Sequence, residues 1–156
     1  MTTASKLKKE HLILELSADD RFSAFTEIIQ HLVNAKAIPI DKHQDILTQL
    51  TSREEQTTFA VGKTIAIPHI NGTDLRQHVF AYARSSEGIE FGSCDGSLVH
   101  HIFLALIPED KKSGWLKTLS GTAKVLSDLE LRHALSDCDS EDDLFSTLLS
   151  SLHEIL

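Results

Sequence analysis

The chain has 156 residues, of which 41% are hydrophobic and 24% are charged, so it is long enough to form one domain with a buried core. A formal net charge of −8 argues against a nucleic-acid-binding surface, because phosphate backbones are bound by clustered lysine and arginine. No apolar run reaches the length of a membrane span, and the N-terminal stretch MTTASKLKKEHLILEL has too short an apolar core for a signal peptide. Cys94 and Cys138 lack a disulfide-type spacing, so we expect reduced thiols in a cytoplasmic protein that does not insert into membranes.

Two helices are predicted in the first third of the chain. Between Ser17 and Lys36, apolar residues recur at three- and four-residue spacing, which predicts a helix with one buried face. Pro39 ends this helix. Asp41 with Gln44 three residues later is a capping signal, and it predicts a second helix that ends near Arg53.

Three short apolar runs bounded by Gly, Asn and Pro predict strands at Ile65 to Ile67, Val79 to Ala83 and Ile102 to Ile107. The last run, read as IFLALIP, is almost continuously apolar. Such a strand is typical of a sheet covered on both faces, so we expect it at the centre of the sheet.

Helices are predicted again after Pro108. Trp115, Leu116, Leu119, Ala123 and Leu126 form one apolar stripe, Leu131 begins a shorter one, and Ser140 caps a last helix with an acidic first turn. Helices, then strands, then helices predict an α/β fold in which a mixed β-sheet is sandwiched between helices on both faces. We expect one compact domain over residues 1–156, with residues 1–10 as a loosely ordered N-terminal segment.

The stretch TIAIPHIN, residues 64–71, delivers one histidine directly after a proline. Pro68 should end the strand and turn His69 outward at the strand's end. A neutral imidazole nitrogen is a competent nucleophile toward a phosphoryl donor, and the new charge would need partners. Arg53, Thr57 and Thr58 precede this strand and are the candidates. On residue chemistry alone, an ordinary surface loop histidine remains the alternative.

A longer segment around this histidine carries a family resemblance. LTSREEQTTFAVGKTIAIPHI contains an Arg-Glu pair, a loop of small and hydroxyl residues with a glycine, and Ile-Ala-Ile-Pro-His. It resembles the phosphorylation-site signature of the type 2 (fructose/mannitol) enzyme IIA domain of the bacterial phosphoenolpyruvate-dependent phosphotransferase system. The likeness continues over nearly the whole chain, through Ile89, Phe91, Asp95 and Val99 to FLALIP, KTLSGTAKVLSD and SEDDLF.

The resemblance implies that His69 accepts a phosphoryl group from an HPr-like histidine carrier and that Arg53 helps to hold it. It implies no cofactor. As a stand-alone domain the chain looks most like the nitrogen-regulatory branch, whose phosphoproteins signal to a regulatory target, whereas other members pass the group to a IIB domain. Two alternatives stay open: a regulatory protein-binding module with impaired or lost transfer, and a sugar-specific IIA component of a transport system.

The sequence departs from the family pattern at three places. The residue after the histidine is usually small and is here Ile70, which we expect to crowd the ring. Trp115 stands where the family carries a second histidine, and an indole N–H can donate one hydrogen bond but carries no charge, so we expect a weaker hold on the phosphoryl group. His100 stands where the family is usually acidic, and we consider it a substitute donor. Ile70, Phe59 and Trp115 are the predicted apolar docking patch.

A metal site is not expected. The nine histidines are scattered, no His-x-x-x-His pair shares a helix face, and neither cysteine has a ligand neighbour at close spacing. The histidines outside the candidate site are predicted to be solvated or helix-face residues without a role: His11, His31, His43, His78, His133 and His153.

Overall fold

A mixed β-sheet forms the centre of the molecule in the computed structural model, which describes residues 6–153 and residue 155. The six strands of these residues are β1 (Leu12–Ile13), β2 (Ala60–Gly62), β3 (Ile65–Ala66), β4 (His69–Thr73), β5 (Val79–Ile89) and β6 (Val99–Pro108). They are ordered β1-β5-β6-β3-β2, and β4 also pairs with β6. The β5–β6 and β2–β3 pairs are antiparallel and the others are parallel.

Helices cover both faces of this sheet. The α-helices of the described residues are α1 (Arg21–Asn34), α2 (His43–Gln56), α3 (Trp115–Leu126), α4 (Leu129–Asp137) and α5 (Glu141–Leu152). One apolar core joins α1 and α2 to one face, and a second joins α3, α4 and α5 to the other. The predicted α/β sandwich is therefore confirmed. None of the helices in the described residues combines the length and the apolar character that a bilayer crossing needs.

Strand β6 lies between these two cores, as its composition predicts. Ile102, Leu104 and Leu106 face the α1/α2 side, whereas Phe103 and Ala105 face the α3–α5 side. Because consecutive strand residues point to opposite faces, a strand buried on both sides must be apolar at every position. The central place of β6 in the strand order confirms the prediction.

A strand ends before Pro68 as predicted, but His69 does not lie beyond a strand's end, because a new strand begins at this residue. β3 stops at Ala66, and β4 resumes at His69 on the same neighbour, β6. The missing N–H of Pro68 removes one possible ladder bond, yet its carbonyl oxygen still accepts the N–H of Ala105 at 2.9 Å. His69 is therefore the first residue of a strand.

The predicted cap at the start of the second helix is also wrong. Residues Ile40–Lys42 form a 3₁₀ turn after Pro39, and Lys42 then precedes α2 without a side-chain cap. Asp41 lies within that turn and does not cap α2. The other predicted cap is confirmed, since Ser140 Oγ accepts the N–H of Asp143 at the start of α5.

Two exposures differ from the sequence expectation. Leu116 was placed on the buried stripe of α3 but is 76% exposed, because the core side of this helix turn is taken by Trp115. His11 is buried, and its Nδ1 lies 3.1 Å from the carbonyl oxygen of Phe80. A buried ring with a backbone partner is a packing residue, so the prediction of a solvated His11 is wrong.

The N-terminal segment is described from Lys6 onward, and residues 1–5 lie outside the described residues. Leu7 is buried in the α3–α5 core, and Lys9–His11 form a 3₁₀ turn that leads into β1. Strands β1 and β2 were not predicted, because two or three residues are too few for a periodic pattern.

The turn from β2 into β3 has three consecutive residues with positive φ. Gly62, Lys63 and Thr64 have φ of 86°, 55° and 68°, a conformation that residues with a Cβ rarely adopt. Asp95 Oδ2 accepts the Lys63 N–H at 2.8 Å, and Arg132 donates to the Lys63 carbonyl at 2.6 Å. These bonds offset the backbone strain, and backbone donors hold the pKa of Asp95 down at about 2.

Polar side chains are also buried between the sheet and α4. The Nη1 of Arg84 donates to the carbonyl oxygens of Leu135 and Cys138, each at 2.7 Å, near the end of α4. Next to it, the hydroxyl of Tyr82 lies 2.7 Å from Nδ1 of His101, which is only 2% exposed. Burial, followed by repulsion from neighbouring basic groups, lowers the pKa of His101 to about 4.

The depressed pKa of His101 predicts acid-sensitive folding. Between an unfolded pKa of 6.5 and a folded value of about 4, only the unfolded chain binds the proton. The neutral His101 therefore costs no stability above pH 6.5. As the pH falls from 6.5 to 4, the unfolding free energy should decrease by about 3 kcal/mol. Urea unfolding of wild type and His101→Gln at several pH values measures it. Parallel pH profiles of the two proteins would contradict the prediction.

Candidate functional site

Four residues that the sequence singles out line one surface pocket. Arg53, Thr57, Thr58 and His69 surround a volume of about 460 Å³. Arg53 lies in the last turn of α2, Thr57 ends that helix, and Thr58 follows it. The other side of the pocket is made by α3, through Leu119, Ser120 and Ala123. The structure thus brings a cation, two hydroxyls and an imidazole together.

The imidazole of His69 has one nitrogen engaged and one available. Its Nδ1 lies 2.8 Å from the carbonyl oxygen of Ile67. A carbonyl oxygen only accepts, so Nδ1 carries the proton and donates it in this bond. The neutral ring then keeps its lone pair on Nε2, the nitrogen suited to nucleophilic attack. The bond also fixes the orientation of the ring.

Two aromatic residues hold the ring of His69 between them. The centroid of Phe59 lies 5.4 Å from the imidazole centroid, and that of Trp115 lies 5.8 Å from it. Both aromatic residues are buried. Packing on two sides restricts the ring's rotation and keeps its nucleophilic nitrogen in place without a further hydrogen bond.

The loop from Thr57 to Phe59 is fixed by its own hydrogen bonds. The Thr57 N–H donates to the Arg53 carbonyl, which closes the helix, and the Phe59 carbonyl accepts the N–H of Ile67 at 3.1 Å. The hydroxyl oxygen of Thr58 accepts the N–H of Ala60 at 3.1 Å. Since that oxygen acts as an acceptor there, its proton is left to donate to an anion in the pocket.

A buried carboxylate beneath the loop fixes it further. Glu54 Oε1 accepts the N–H of Phe59 at 2.8 Å, and Glu54 Oε2 accepts from Nη1 of Arg21 at 2.8 Å. Nη1 of Arg21 also lies 3.2 Å from the carbonyl oxygen of Phe91, so the start of α1 and the Phe91 segment join the same network. The carboxylate is fully used by these partners and adds no free negative charge to the pocket.

The pocket is electropositive although the chain is acidic. Among the described residues that line it, Arg53 is the only one with a permanent charge and none is acidic. Within residues 6–153 and 155, the guanidinium of Arg53 has no hydrogen-bond or ion-pair partner. A planar guanidinium without a carboxylate partner is suited to bind the oxygens of a phosphoryl group.

The expectation that Ile70 crowds the histidine is wrong. Ile70 is 0% exposed and packs in the α1/α2 core, because it follows His69 on a strand and points to the opposite face. It therefore cannot belong to a docking patch either. The predicted patch residues Phe59 and Trp115 are buried on either side of the ring, whereas Val61, an exposed apolar residue, lines the pocket.

Of the two remaining candidates, Trp115 contacts His69 and His100 lies away from the pocket. Trp115 is in contact with His69, but in the part of the chain that the structure describes its Nε1 is buried without a hydrogen-bond partner. His100 does not line the pocket: its Nδ1 lies 2.8 Å from the carbonyl oxygen of Ser85. His69 pairs with Ala105 on β6, and Ala105 lies five residues, or about 16 Å, further along this strand than His100.

Sequence reasoning missed several residues of the site. Gln56, Val61 and Ser120 line the pocket, and Arg21 reaches its loop through Glu54. The sequence shows that Arg53 and Glu54 are adjacent, but it does not show that Arg53 is exposed and Glu54 is buried. Ser120 lies three residues before Ala123 on one face of α3, and only the packing of this helix shows that the face turns toward the pocket.

Comparisons with known proteins identify the family of this α/β domain. Residues 5–151 match the model of the family described as "Phosphoenolpyruvate-dependent sugar phosphotransferase system, EIIA 2". The chain belongs to this family.

Relatives come from both transport and regulation. The fructose-specific EIIABC component of Bacillus subtilis is 26% identical over 148 residues, which make up 95% of this chain and 23% of that protein. The chain thus spans less than a quarter of that relative's length. A nitrogen regulatory protein of Bradyrhizobium diazoefficiens is 34% identical over 99 residues, 64% of this chain and 65% of that protein.

Solved structures repeat the fold. The crystal structure of the nitrogen regulatory protein IIA-Ntr from Neisseria meningitidis has a TM-score of 0.82 at 26% identity and covers 93% of this chain and 97% of its own. A complex of mannitol IIA with phosphorylated mannitol IIB from Escherichia coli has a TM-score of 0.72 at 19% identity, with 93% and 98% coverage. At that identity the second comparison supports the fold alone.

Removal of the Glu54 carboxylate should loosen the pocket loop. Glu54→Ala leaves the Phe59 N–H without an acceptor and Arg21 without its counter-ion, so we expect a loss of about 3 kcal/mol of unfolding free energy and faster hydrogen exchange at the Phe59 amide. The matched control is Glu55→Ala, whose side chain is exposed and should change stability by less than about 0.5 kcal/mol. Equal stabilities of the two variants would contradict the assigned role of Glu54.

Proposed function

We propose that the protein is a phosphoryl carrier in which Nε2 of His69 is the acceptor. The observation that carries this proposal is the bond from Nδ1 of His69 to the Ile67 carbonyl, which leaves Nε2 unprotonated in a pocket shared with the Arg53 guanidinium, itself unpaired among the described residues. Family membership supports it independently. The proposed site consists of His69 and Arg53, with Thr57 and Thr58 as further ligands of the phosphoryl oxygens.

The transfer requires no cofactor and no proton from the pocket. The lone pair on Nε2 forms the new N–P bond while the N–P bond to the donor histidine breaks, and the donor nitrogen recovers its lone pair. The proton on Nδ1 stays in its bond to Ile67 and stabilises the positive charge that the ring gains. Arg53 and the Thr58 hydroxyl neutralise the oxygens of the transferred group, which is where most of the rate acceleration should arise.

The proposed donor is an HPr-like histidine carrier in the cytoplasm, and the proposed recipient is a regulatory protein or a IIB domain. The similarity to two nitrogen regulatory proteins favours signalling. The 95% coverage by a fructose-specific relative keeps a sugar-specific IIA role as the transport alternative. The carrier would contact the exposed apolar side chain of Val61 at the pocket, in place of the patch that the sequence suggested.

A specific observation favours a second candidate, a regulatory binding module with weak transfer. The ring of Trp115 contacts that of His69. However, its Nε1 has no partner within the described residues, and Trp115 does not line the acceptor pocket. The phosphoryl group would then be held by Arg53 and the threonine hydroxyls without a second cation. Such a protein would act through its surface whatever its phosphorylation state.

Phosphorylation in vitro distinguishes these candidates. With phosphoenolpyruvate, the first enzyme of the system and its small histidine carrier, we expect one acid-labile phosphoryl group by intact mass. His69→Ala should abolish it, the surface variant His133→Ala should retain it, and Arg53→Gln should slow transfer on the order of a hundredfold. If an authentic IIA domain is labelled in the same tube and this protein is not, the binding module is the better description.

Replacement of Trp115 tests whether this residue weakens the binding of the phosphoryl group. Trp115→His restores a group that can carry a proton and a charge beside His69, so the phosphorylated protein should hydrolyse several-fold more slowly than wild type. Trp115→Phe keeps the ring contact without a charge and is the matched control. The half-life of the adduct at neutral pH is the measurement, and an unchanged half-life in Trp115→His speaks against the idea.

A further inference from the structure

A second, smaller cavity lies beside Trp115 at the start of α3. Its volume is about 210 Å³, and it is not part of the acceptor pocket. Lys111 and Ser113 border it from the segment before α3, Trp115 and Thr118 from the helix itself, and His78 from the residue before β5. Nothing in the proposed carrier function uses this cavity.

Polar atoms without partners border the cavity. Trp115 is 5% exposed, and its Nε1, which can only donate, has no partner among residues 6–153 and 155; the buried Nδ1 of His78 has none there either. Gly114 precedes α3 without a side-chain cap, and although the Trp115 N–H donates to the Lys112 carbonyl at 3.3 Å, the helix presents the positive end of its dipole. Buried donors without acceptors are costly, and a protein retains them where a ligand supplies the acceptor.

The charges around the cavity have one sign. Of the eight described residues that line it, Lys111 is cationic and none is acidic. Burial lowers the pKa of His78, and Lys6 and Lys111 lower it further, so both lysines act on the same ring. Of the carboxylates in the adjoining turn, Glu109 is paired with Lys112 at 2.7 Å, and Asp110 exerts the smallest named effect on His78.

We propose that this cavity is a binding site for a small phosphate-bearing ligand. The uncapped start of α3, Lys111, Ser113 and Trp115 all line it, and together they supply the positive charge and the hydrogen-bond donors that a phosphate group needs. A volume of about 210 Å³ admits inorganic phosphate or the monoester of a compact metabolite and excludes a nucleotide.

Trp115 connects the two sites. Its indole forms part of the wall of this cavity, and its ring lies 5.8 Å from that of His69. A ligand that bonds Nε1 fixes the indole and thereby the packing of the acceptor ring. This connection rests on the proposed function of His69, whereas ligand binding to the cavity does not.

The single tryptophan of the chain reports on binding directly. Inorganic phosphate and glycerol phosphate are titrated separately at constant ionic strength, with acetate as the planar-anion comparison, and Trp115 fluorescence and calorimetry are followed. We expect saturable binding of phosphate, tighter than that of acetate. Tighter binding of the monoester than of inorganic phosphate identifies a metabolite site, and the reverse identifies a site for free phosphate.

Three variants locate the binding. Lys111→Gln changes an exposed side chain and should weaken phosphate binding about tenfold, the effect of one charge-assisted hydrogen bond. Lys117→Gln, on an exposed α3 lysine outside the cavity, should bind as wild type does. Arg53→Gln removes any phosphate binding by the acceptor pocket and should retain saturable binding at the cavity. The proposal is overturned if wild type shows no saturable binding, if Arg53→Gln abolishes it, or if Lys111→Gln leaves it unchanged. None of these readouts involves phosphoryl transfer, so they stand apart from the test of His69.

Discussion

The parallel pairing of β4 with β6 is the constraint on which the whole site depends. His69 lies opposite Ala105 and Ile70 lies opposite Leu106, so the histidine takes the α3–α5 face and the isoleucine takes the α1/α2 face. A slip of one residue would exchange them and bury the imidazole. The register is maintained by β6, whose apolar side chains on both faces cannot leave their cores. The position of one surface histidine is thus decided by the least exposed strand of the molecule.

The sign of the acceptor pocket is decided locally, against the net charge of −8. Exposed carboxylates elsewhere are screened within about 10 Å at ordinary salt, whereas the carboxylate nearest to the loop is buried and neutralised. Glu54 has both oxygens occupied, one by the Phe59 amide and one by Arg21. Arg53, its neighbour in the sequence, is exposed, and its side chain has no partner in the part of the chain that the structure describes. Two adjacent residues of opposite charge therefore do different work because α2 presents them to different faces.

The sequence was sufficient for features that depend on local pattern. The helices, the central strand and the grouping of Arg53, Thr57 and Thr58 before His69 follow from periodicity and order along the chain. It was insufficient where neighbours in space decide. Ile70 was misplaced because the resumption of the strand after Pro68 depends on the length of β6, and the short strands β1 and β2 exist only as partners of β5 and β3. The network through Arg21 joins residues 33 positions apart, a distance at which a single sequence carries no signal.

Arg84 attaches one helix to the sheet through hydrogen bonds of its side chain. Its guanidinium joins β5 to the carbonyl groups near the end of α4, and separation of the helix from the sheet would break these charge-assisted hydrogen bonds, at a cost of about 1.5–3 kcal/mol each. Helix α4 is thus held to the sheet by polar contacts. In the described residues no side-chain hydrogen bond attaches α3 to a strand, and this helix is held to the sheet by apolar packing. Helix α3 forms one wall of the pocket, so a group that enters the pocket can displace this helix without breaking a side-chain hydrogen bond to the sheet.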